Sequence, residues 1–343
     1  MNKEINLHMI TLAREARGLS QLELAEKLNM SPTNLSKIER GDVGVSEDLI
    51  DSIAGVTTFP QQFFLQGGEI MPDNLGYRKR QVVAQKLITP ITARINIFRK
   101  HVQFLTEALM LETPDLPLAQ VTETRTPNQI ATKLRKRWQM PEGPIANLTQ
   151  VVEAQNIAII TFPFGTERVD SRSMLTDDKY PILFINASMQ GDRQRFSLAH
   201  ELGHLLMHTF CAVPQDRDIV HEANLFAAEL LMPEKDIRPD FKDGITVALL
   251  AELKRKWKVS MISLLYRADD LGYVTPNQKR YLLQQFNQMQ IRRREPMELD
   301  VPIEQPKLVK RWIATYRGKT KFSATEMAAV LCLHKDEYFE MYG

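Results

Sequence analysis

The chain has 343 residues, of which 43% are hydrophobic and 25% are charged. This length exceeds that of one typical domain, so the sequence predicts two or three domains. A net charge of only +2 excludes a uniformly basic nucleic-acid-binding protein, and any affinity for nucleic acid must be local. The two cysteines, Cys211 and Cys332, lie far apart, which argues against a disulfide framework. Without an apolar leader or a membrane-length apolar run, we expect a cytoplasmic protein with no membrane partner.

Three short helices are predicted in the first forty residues. Leu7–Arg17 has the apolar periodicity of a helix. Ser20-Gln-Leu-Glu23 is a capping box that starts a second helix over Gln21–Leu28. Ser31, followed by a proline, caps a third helix that runs to about Arg40. Two short helices joined by a tight turn are typical of a helix-turn-helix unit.

The third helix is the candidate recognition helix. Side chains on its outer face are placed to meet base edges, and side chains at helix ends are better placed for phosphates. The alternative is a helical packing module that never touches DNA. The candidates for base edges are Thr33, Asn34 and Lys37, and those for phosphates are Gln21, Ser31 and Arg40.

This segment resembles the Xre/Cro–cI family of helix-turn-helix domains over about sixty residues. The resemblance rests on Leu12–Gln21, Leu24-Ala25, Leu28 and Leu35–Gly41. It implies a domain that binds a DNA operator, usually as a homodimer. It also implies DNA contacts at the positions that match those of the family, which are Gln21, Ser31, Thr33, Asn34 and Lys37.

The next stretch is predicted to join two domains. Pro60–Asn74, which follows Phe59 and contains Phe63 and Phe64 before two glycines and a proline, indicates a boundary. Tyr77–Arg80 is a basic cluster, which is either a phosphate contact or a solvated helix start. Val82–Leu111 is predicted as one long helix that Pro90 interrupts early, and it offers a dimer interface. The prolines of Glu112–Pro117 indicate a linker.

The second domain is predicted to combine helices with a small sheet. Thr126-Pro-Asn-Gln129 is another capping box, which opens a helix to about Trp138, and Pro144–Gln155 is a further helix. We expect the three strands that follow to form a small antiparallel sheet behind the next helix. The strands are Ile157–Phe162, Ser173–Thr176 and Ile182–Asn186.

The helical stretch Ser197–His208 points to chemistry, because it contains His200-Glu201-Leu-Gly-His204. Residues four apart lie on one face of a helix, so one metal ion can reach both imidazoles. Glu201 projects beside them, where it can take a proton from a water on the metal. This H-E-x-x-H arrangement is typical of zinc metallopeptidases. The alternative is a chance match with two ordinary helix histidines.

Zinc needs a third protein ligand and an open position for water. Phe210 occupies the position of the third histidine in one class of zinc peptidases and excludes that class. His208 is a full turn too far along the helix, and we expect it beside the ligands or at the surface. The other class uses a glutamate from a later helix, here His221–Pro233. Its acidic candidates are Glu222 and Glu229, with Asp218 just before it, and each has the alternative of a solvent-facing charge.

The chain resembles the ImmA/IrrE family of metallopeptidases over about residues 120–295. The resemblance rests on Arg195–His204 and Ala223–Pro233, with Leu253–Gly272 as a continuation. It implies a zincin-like fold and a zinc ion. His200 and His204 then correspond to zinc ligands, and Glu201 corresponds to the general base.

One position departs from the pattern of related zinc peptidases, which usually place a ligand glutamate three residues before Ala223-Asn224. That position is Val220 here. Glu222 is therefore the expected third ligand, with Glu229 as the alternative. The donor to a substrate oxyanion stays open between His221, Arg195 and Tyr180.

The remaining chain is predicted to be helical. Thr246–Lys256 and Ser260–Asp270 either form a second helix-turn-helix or pack against the metal domain. Thr275–Met289 begins with a capping box, and so does the last predicted helix, Ser323–Leu333, which follows Leu308–Tyr316.

The sequence thus predicts a multidomain chain: an all-α helix-turn-helix domain (1–66), connecting helices (67–118), an α+β zincin-like metallopeptidase domain (119–295) and a C-terminal helical segment (296–343). The expected function is that of a DNA-associated zinc endopeptidase that cuts a repressor protein. One alternative is a transcription regulator whose metallopeptidase-like domain is a sensor or interaction module. Another is the toxin of a two-gene module.

Overall fold

The structure, a computed structural model, describes residues 5–68, 70–71, 83–210, 216–292 and 294–343. The chain forms two compact units. Unit 1 comprises Met1–Glu112, Thr176–Asp178 and Val309–Gly343, and unit 2 comprises Thr113–Leu175 and Lys179–Leu308. The predicted basic cluster at 77–80 and Cys211 lie outside the described residues. Over the ranges described, no helix has the length and apolar character needed to cross a bilayer.

The elements follow the order of a helical N-terminal region, a small sheet with helices, and C-terminal helices. The helices are α1 (His8–Ala16), α2 (Gln21–Lys27), α3 (Pro32–Arg40), α4 (Glu47–Thr57), α5 (Gln85–Leu109), α6 (Pro127–Arg137), α7 (Leu148–Glu153), α8 (Gly191–Met207), α9 (Ile219–Leu231), α10 (Glu234–Ile237), α11 (Val247–Trp257), α12 (Met261–Asp270), α13 (Pro276–Gln288), α14 (Leu308–Thr320), α15 (Ala324–Val330) and α16 (Lys335–Tyr342). The strands are β1 (Ala158–Phe162), β2 (Ser171–Leu175) and β3 (Pro181–Asn186). The predicted multidomain layout is confirmed.

The N-terminal helices begin and end where local hydrogen bonds permit. The capping box of Ser20 and Glu23 is formed at the start of α2. Ser31 accepts a hydrogen bond from the backbone N–H of Asn34 at the start of α3. Gly41 ends α3 with a φ of 83°, a left-handed conformation that glycine adopts without strain. The three helices predicted for this segment are confirmed.

The three phenylalanines after α4 belong to the core of unit 1, so the boundary predicted at 60–74 does not begin with them. Phe59 and Phe63 stack with their ring centroids 4.1 Å apart. Phe63 and Phe64 meet edge to face at 5.5 Å. All three side chains are buried, because large aromatic surfaces gain most from leaving water. The glycines and prolines near these residues are typical of a linker, but the three phenylalanine rings are part of the core.

The sheet of unit 2 is mixed, so the predicted antiparallel sheet is wrong. The strand order is β1-β3-β2. β3 pairs with β1 in parallel and with β2 in antiparallel orientation. Every residue of β3 is buried, as expected for a central strand covered on both faces. The three strand positions were correct, but the order depends on contacts that strand patterns do not encode.

α8 lies against the sheet and packs on α9 at close range. Gly203 of α8 faces the ring of Phe226 on α9, and a Cβ added at Gly203 would lie 2.9 Å from Phe226 Cδ1. The glycine within the H-E-x-x-H motif therefore permits the close approach of these two helices. This approach brings side chains of α9 to the two histidines of α8.

α7 is shorter than predicted, because the chain enters it at Asn147 rather than near Pro144. The Asn147 side chain accepts a hydrogen bond from the backbone N–H of Gln150 and caps the helix. Ile145, just before the cap, is buried in the core of unit 2. An extended entry is needed to place this side chain there.

The last helices of the chain belong to unit 1. His101 Nδ1 of α5 lies 2.8 Å from the hydroxyl of Tyr342 on α16. Phe104 of α5 and Tyr316 of α14 meet edge to face at 5.3 Å. α16 was missed in the sequence, since its first turn has no capping side chain.

Candidate functional site

The two motif histidines converge as predicted from their spacing. His204 Nε2 lies 3.0 Å from His200 Nε2. His204 is buried and His200 is half-buried. One turn of α8 separates the two residues, so the same face of the helix presents both rings. The Nε2 atoms are the ring atoms that point toward each other.

The Nδ1 atom of each of these two rings is hydrogen-bonded to a neighbouring side chain. His200 Nδ1 lies 2.9 Å from Asn224 Oδ1 of α9. His204 Nδ1 lies 2.9 Å from His208 Nδ1. His208 Nε2 in turn lies 2.9 Å from Glu222 Oε2. The ring orientations are therefore fixed by partners around the pair, as those of metal-binding histidines are.

These partners assign the protons on the rings. A carboxylate only accepts, so His208 donates from Nε2 to Glu222 and accepts at Nδ1. His204 then donates from Nδ1 to His208. His200 donates from Nδ1 to the amide oxygen of Asn224. With this assignment both Nε2 atoms carry an acceptor lone pair, and the two atoms lie 3.0 Å apart.

Burial keeps the imidazoles of His204 and His208 neutral. It lowers the pKa of His204 to about 2, with further contributions from the charges of His200, His208 and Arg172. Burial also lowers the pKa of His208, against the opposing effect of Glu222. A neutral imidazole is the form that binds a metal ion.

Glu201 lies between the two histidines on α8. One of its carboxylate oxygens is hydrogen-bonded and the other has no partner among the described residues. Ser171 of β2 donates its hydroxyl to Glu201 Oε1 at 2.8 Å. Glu201 Oε2 is buried and has no hydrogen-bond partner among the described residues. A buried carboxylate oxygen without a partner carries a desolvation cost of about 1–3 kcal/mol or more. Such an orphaned acceptor fits a site where a water molecule is to be held.

A metal ion fits this arrangement through two protein ligands. Two Nε2 lone pairs at 3.0 Å repel each other unless a cation or a proton lies between them. The orphaned Oε2 of Glu201 supplies an acceptor for water nearby in the same segment. In the part of the chain that the structure describes, no group of three His, Cys, Asp or Glu side chains is placed to hold one ion.

The acidic candidates for the third ligand have different surroundings. Glu222 is half-buried and bonds His208 through Oε2 and Arg217 Nε, at 2.8 Å, through Oε1. Glu229 is buried and forms an ion pair with Arg267. Asp218 caps α9 by accepting from the backbone N–H of His221 at 3.0 Å. Glu222 joins the hydrogen-bond chain that reaches the motif histidines through His208.

Two of the three candidate oxyanion donors are engaged elsewhere. Arg195 is buried, pairs with Glu304 and donates to backbone carbonyls. Tyr180 is buried and donates its hydroxyl to the backbone carbonyl of Asn156. His221 is exposed on α9. Sequence reasoning missed Arg172 on β2, a half-buried cation close enough to lower the pKa of His204. Only its position on the strand beside α8 reveals it.

The candidate DNA-contacting residues lie on unit 1. Thr33, Asn34 and Lys37 are exposed on α3. Ser31 is exposed, and its hydroxyl caps α3. These side chains and backbone positions form the outer face of the candidate recognition helix.

The side chain of Gln21 is hydrogen-bonded to a buried carboxylate of α3. Its side-chain amide donates to Glu39 Oε2 at 2.7 Å. Glu39 is buried and also receives Arg14 Nε at 2.7 Å. This network ties α1, α2 and α3 together, so Gln21 contributes to the orientation of α3 within the unit.

Comparisons with known proteins divide the chain in the same way. Residues 152–269 match the peptidase family model described as the IrrE N-terminal-like domain. Residues 10–57 match the helix-turn-helix family model. The ImmA/IrrE and helix-turn-helix resemblances predicted from the sequence are thereby confirmed.

Three curated relatives match part of the chain. The radiation response metalloprotease IrrE of Deinococcus radiodurans is 33% identical over 102 residues, 26% of this chain and 31% of that protein. IrrE of Deinococcus deserti is 35% identical over 104 residues, 26% of this chain and 36% of that protein. The metallopeptidase ImmA of Bacillus subtilis is 31% identical over 97 residues, 26% of this chain and 56% of that protein. The match spans between about a third and about half of these relatives.

The two family matches coincide with the N-terminal helices and with the sheet and helices that carry the two motif histidines. The helix-turn-helix match covers α1 to α4, including the exposed face of α3, and the peptidase match covers the sheet, α8 and α9. The chain therefore contains one segment similar to helix-turn-helix domains, residues 10–57, and a second segment similar to the IrrE N-terminal-like peptidase domain, residues 152–269.

Proposed function

We propose that the chain is a DNA-associated zinc metalloendopeptidase that acts in transcriptional regulation by cleaving a repressor protein. The observation that carries the proposal is the convergence of the Nε2 atoms of His200 and His204 to 3.0 Å. The orphaned, buried oxygen of Glu201 accompanies it. Two nitrogens able to bind a metal ion and one carboxylate base are groups that metal-assisted hydrolysis uses, and a third protein ligand would complete the site.

In this proposal His200 and His204 hold the zinc ion. A zinc ion held there would supply Lewis acidity, which would lower the pKa of a water to about 7 and polarise a peptide carbonyl. Glu201 Oε2 would accept a proton from the attacking water as the water oxygen bonds to the peptide carbonyl carbon, and would deliver that proton to the amine nitrogen as the C–N bond breaks. Ser171 keeps Glu201 Oε1 occupied, so the proton is carried at Oε2.

Arg172 is the side chain that we assign to the oxyanion. It is half-buried on β2, and its positive charge acts on His204. A cation in such a position stabilises negative charge that develops on a substrate carbonyl oxygen. Arg195 and Tyr180 are engaged in structural hydrogen bonds, which makes them weaker candidates for this role.

We propose Glu222 as the third ligand. It lies on the helix that also supplies Asn224, and its carboxylate is joined through His208 to the Nδ1 side of His204. To bind an ion at the Nε2 atoms, the carboxylate must leave His208 and turn toward them. Glu229 is the less suitable candidate, because its carboxylate pairs with Arg267 and receives the Thr132 hydroxyl at 3.1 Å. If Glu222 is not a ligand, the same contacts make it a residue that positions His204.

The helix-turn-helix domain suggests where the peptidase acts. An exposed α3 with Thr33, Asn34 and Lys37 supports insertion into a DNA groove, with an operator as the DNA partner and a homodimer matching its symmetry. The peptidase then works in the compartment that holds the DNA, the cytoplasm. Two relatives are named as radiation response metalloproteases, which supports a stress-response repressor as the protein substrate.

The test is zinc content together with cleavage of the repressor encoded beside this chain. We expect about one zinc per chain in wild type. His204→Ala should lose the metal, and Glu201→Gln should keep it but cleave nothing. Glu229→Gln is the control, since its amide retains part of the buried hydrogen bonding and should leave zinc in place.

The Glu222 variants decide the third ligand. Glu222→Ala and Glu222→Gln should both lose zinc if the carboxylate binds it, because an amide is a poor zinc ligand. Retention of zinc in Glu222→Gln would assign Glu222 to the orientation of His208 instead. Absence of stoichiometric zinc from wild type would contradict the peptidase proposal.

One observation favours a second function, in which the metallopeptidase-type domain is a sensor or interaction module of a transcription regulator. Within the described ranges, no third metal-binding side chain accompanies the two histidines, and Val220 stands where related enzymes carry a glutamate. Operator binding that responds to a ligand but persists unchanged in Glu201→Gln would support this alternative.

A further inference from the structure

A cleft of about 350 Å³ lies in unit 2 beside α6. Its volume falls within the range of roughly 300–1,000 Å³ that is usual for small-molecule sites. One wall is the face of α6, and the other is the chain segment before it. The lining residues are Pro117, Leu118, Ala119, Arg125, Ile130, Lys133, Leu134 and Arg137.

The floor of the cleft is apolar. Ile130 and Leu134 are buried on α6 and belong to the core of unit 2. Pro117, Leu118 and Ala119 face them from the opposite wall. Leu118 is 45% exposed, so a ligand in the cleft would cover apolar surface that now meets water. Covering such surface favours binding of an apolar body.

Three cations stand at the rim. Arg125, Lys133 and Arg137 line the cleft, and all three are exposed. Lys133 and Arg137 lie one turn apart on α6, on the helical face that carries Ile130 and Leu134. Each of these residues therefore presents its charge over the same apolar floor.

The fold does not use two of these charges. Among the residues that the structure describes, the side chains of Arg125 and Lys133 make no hydrogen bond or ion pair. Arg137 pairs with Asp115 at 2.7 Å, with both side chains more than half exposed, and such a pair is weak and easily exchanged. By contrast Arg135 of the same helix is buried and bonds backbone carbonyls of Leu230 and Gly143.

We propose that this cleft binds a small organic anion. Its apolar body lies on Ile130, Leu134 and Leu118, and its carboxylate, sulfonate or phosphate group pairs with Lys133 and the neighbouring arginines. The charge and the apolar floor are both required, which separates this ligand from a free inorganic ion and from a neutral hydrophobic molecule. The proposal does not depend on the zinc peptidase activity.

The segment that forms one wall of the cleft is also hydrogen-bonded to α8 and to Arg217. The backbone N–H of Ala119 donates to the carbonyl of Leu206, on α8, at 3.0 Å. Arg217, which holds Glu222, donates to the carbonyl of Val121 at 3.0 Å. A ligand in the cleft thus rests on a segment that is hydrogen-bonded to the helix of His204.

The test is a fluorescence titration of the full chain with 1-anilinonaphthalene-8-sulfonate, an anion with an aromatic body. We expect one saturable site per chain. Lys133→Glu should weaken binding by about tenfold, because it reverses one charge beside the anion. Lys136→Glu is the matched control. It is exposed on the same helix and makes the same change of charge, but it does not line the cleft, so its effect should stay within about twofold.

Two further probes test the class of ligand. N-phenyl-1-naphthylamine, the neutral counterpart, should bind more weakly and with no response to Lys133→Glu. Inorganic phosphate should not displace the sulfonate. Chloride at the same ionic strength is the control for screening, and the comparison is made at concentrations where chloride has no effect. Both expected results support a site that needs charge and apolar body together.

Four results would overturn the proposal: equal loss in Lys136→Glu and Lys133→Glu, no loss in Lys133→Glu, equal affinity for the neutral probe, or displacement by phosphate alone. Zinc content is measured on the same samples and should be unchanged by Lys133→Glu. A failed titration with intact zinc therefore rejects the anion site and leaves the proposed function standing.

Discussion

At the scale of single residues, a chain of hydrogen bonds directs His204. Arg217 holds Glu222, Glu222 accepts from His208, and His208 accepts from His204. Each link has one possible proton direction once the carboxylate is fixed. The proton on His204 is therefore at Nδ1, and its Nε2 presents a lone pair toward His200. A substitution at Arg217, 13 residues after His204, is therefore expected to act on the candidate metal-binding nitrogen of His204.

His101 gives a residue-scale prediction in unit 1. It is buried, and its burial lowers its pKa to about 4, against a hydrogen bond to the backbone of Leu331 that favours the charged form. The unfolded chain therefore binds a proton near pH 6.5 that the folded chain binds only near pH 4. Stability contributed by neutral His101 is present above pH 6.5 and is lost as the pH falls, by about 2 kcal/mol between pH 7 and pH 5.

Denaturant unfolding at pH 7 and pH 5 measures this effect. The pH dependence of wild type should exceed that of His101→Gln by about 2 kcal/mol, since the amide does not titrate. His8→Asn is the control, because His8 is exposed and should leave the pH dependence unchanged. An equal pH dependence in wild type and His101→Gln would contradict the assignment.

At the scale of elements, the approach of α8 to α9 assembles the site. α8 contributes His200, Glu201 and His204, and α9 contributes Asn224 and Glu222. Their separation is limited by the contact of Gly203 with Phe226. Any side chain at position 203 must displace α9, and both supporting hydrogen bonds would move with it.

Gly203→Ala is therefore expected to destabilise the chain by about 1–3 kcal/mol through overpacking, despite the higher helix propensity of alanine. Zinc affinity should fall as well, because Asn224 and Glu222 shift away from the histidines. Denaturant unfolding and zinc titration measure the two effects.

Gly55→Ala is the matched control for this experiment. Gly55 lies within α4, and a Cβ there meets no atom within 4 Å. Alanine at this position should be neutral or stabilising by up to about 1 kcal/mol. A Gly203→Ala variant that behaves like Gly55→Ala would show that the two metal-site helices tolerate a wider spacing.

At the scale of the whole molecule, the two ends of the chain meet within unit 1. Arg17 of the N-terminal region pairs with Glu337 of α16 at 2.7 Å, and Tyr342 bonds His101. Residues 113–175 and 179–308 lie between these ends as unit 2. The helices nearest the C-terminus thus stabilise the unit that carries the helix-turn-helix domain.

Deletion of residues 321–343 should destabilise unit 1 selectively, because it uncovers buried α5 side chains such as Phe98 and His101. Limited proteolysis should then cleave within residues 1–112 at lower denaturant concentration, while zinc content stays near the wild-type value. Tyr342→Phe serves as the mild comparison, as it removes only the hydroxyl. Simultaneous loss of zinc would show that unit 2 also depends on these helices.

The sequence by itself determined the features that depend on neighbours within a few residues. Caps such as Ser20 with Glu23 and Thr126 with Gln129 act over three residues, and they predicted helix starts correctly. The spacing of His200 and His204 likewise fixed their shared face, since helix geometry alone relates residues four apart.

Only the tertiary structure decided what depends on distant segments. The parallel pairing of β1 with β3, the return of α16 to α5 across 241 residues, and the attachment of Glu222 to His208 have no local signature. These contacts arise because apolar faces bury one another and buried polar groups then need partners. The sequence shows which apolar faces and polar groups need partners, but which partners they contact depends on the packing of the whole chain.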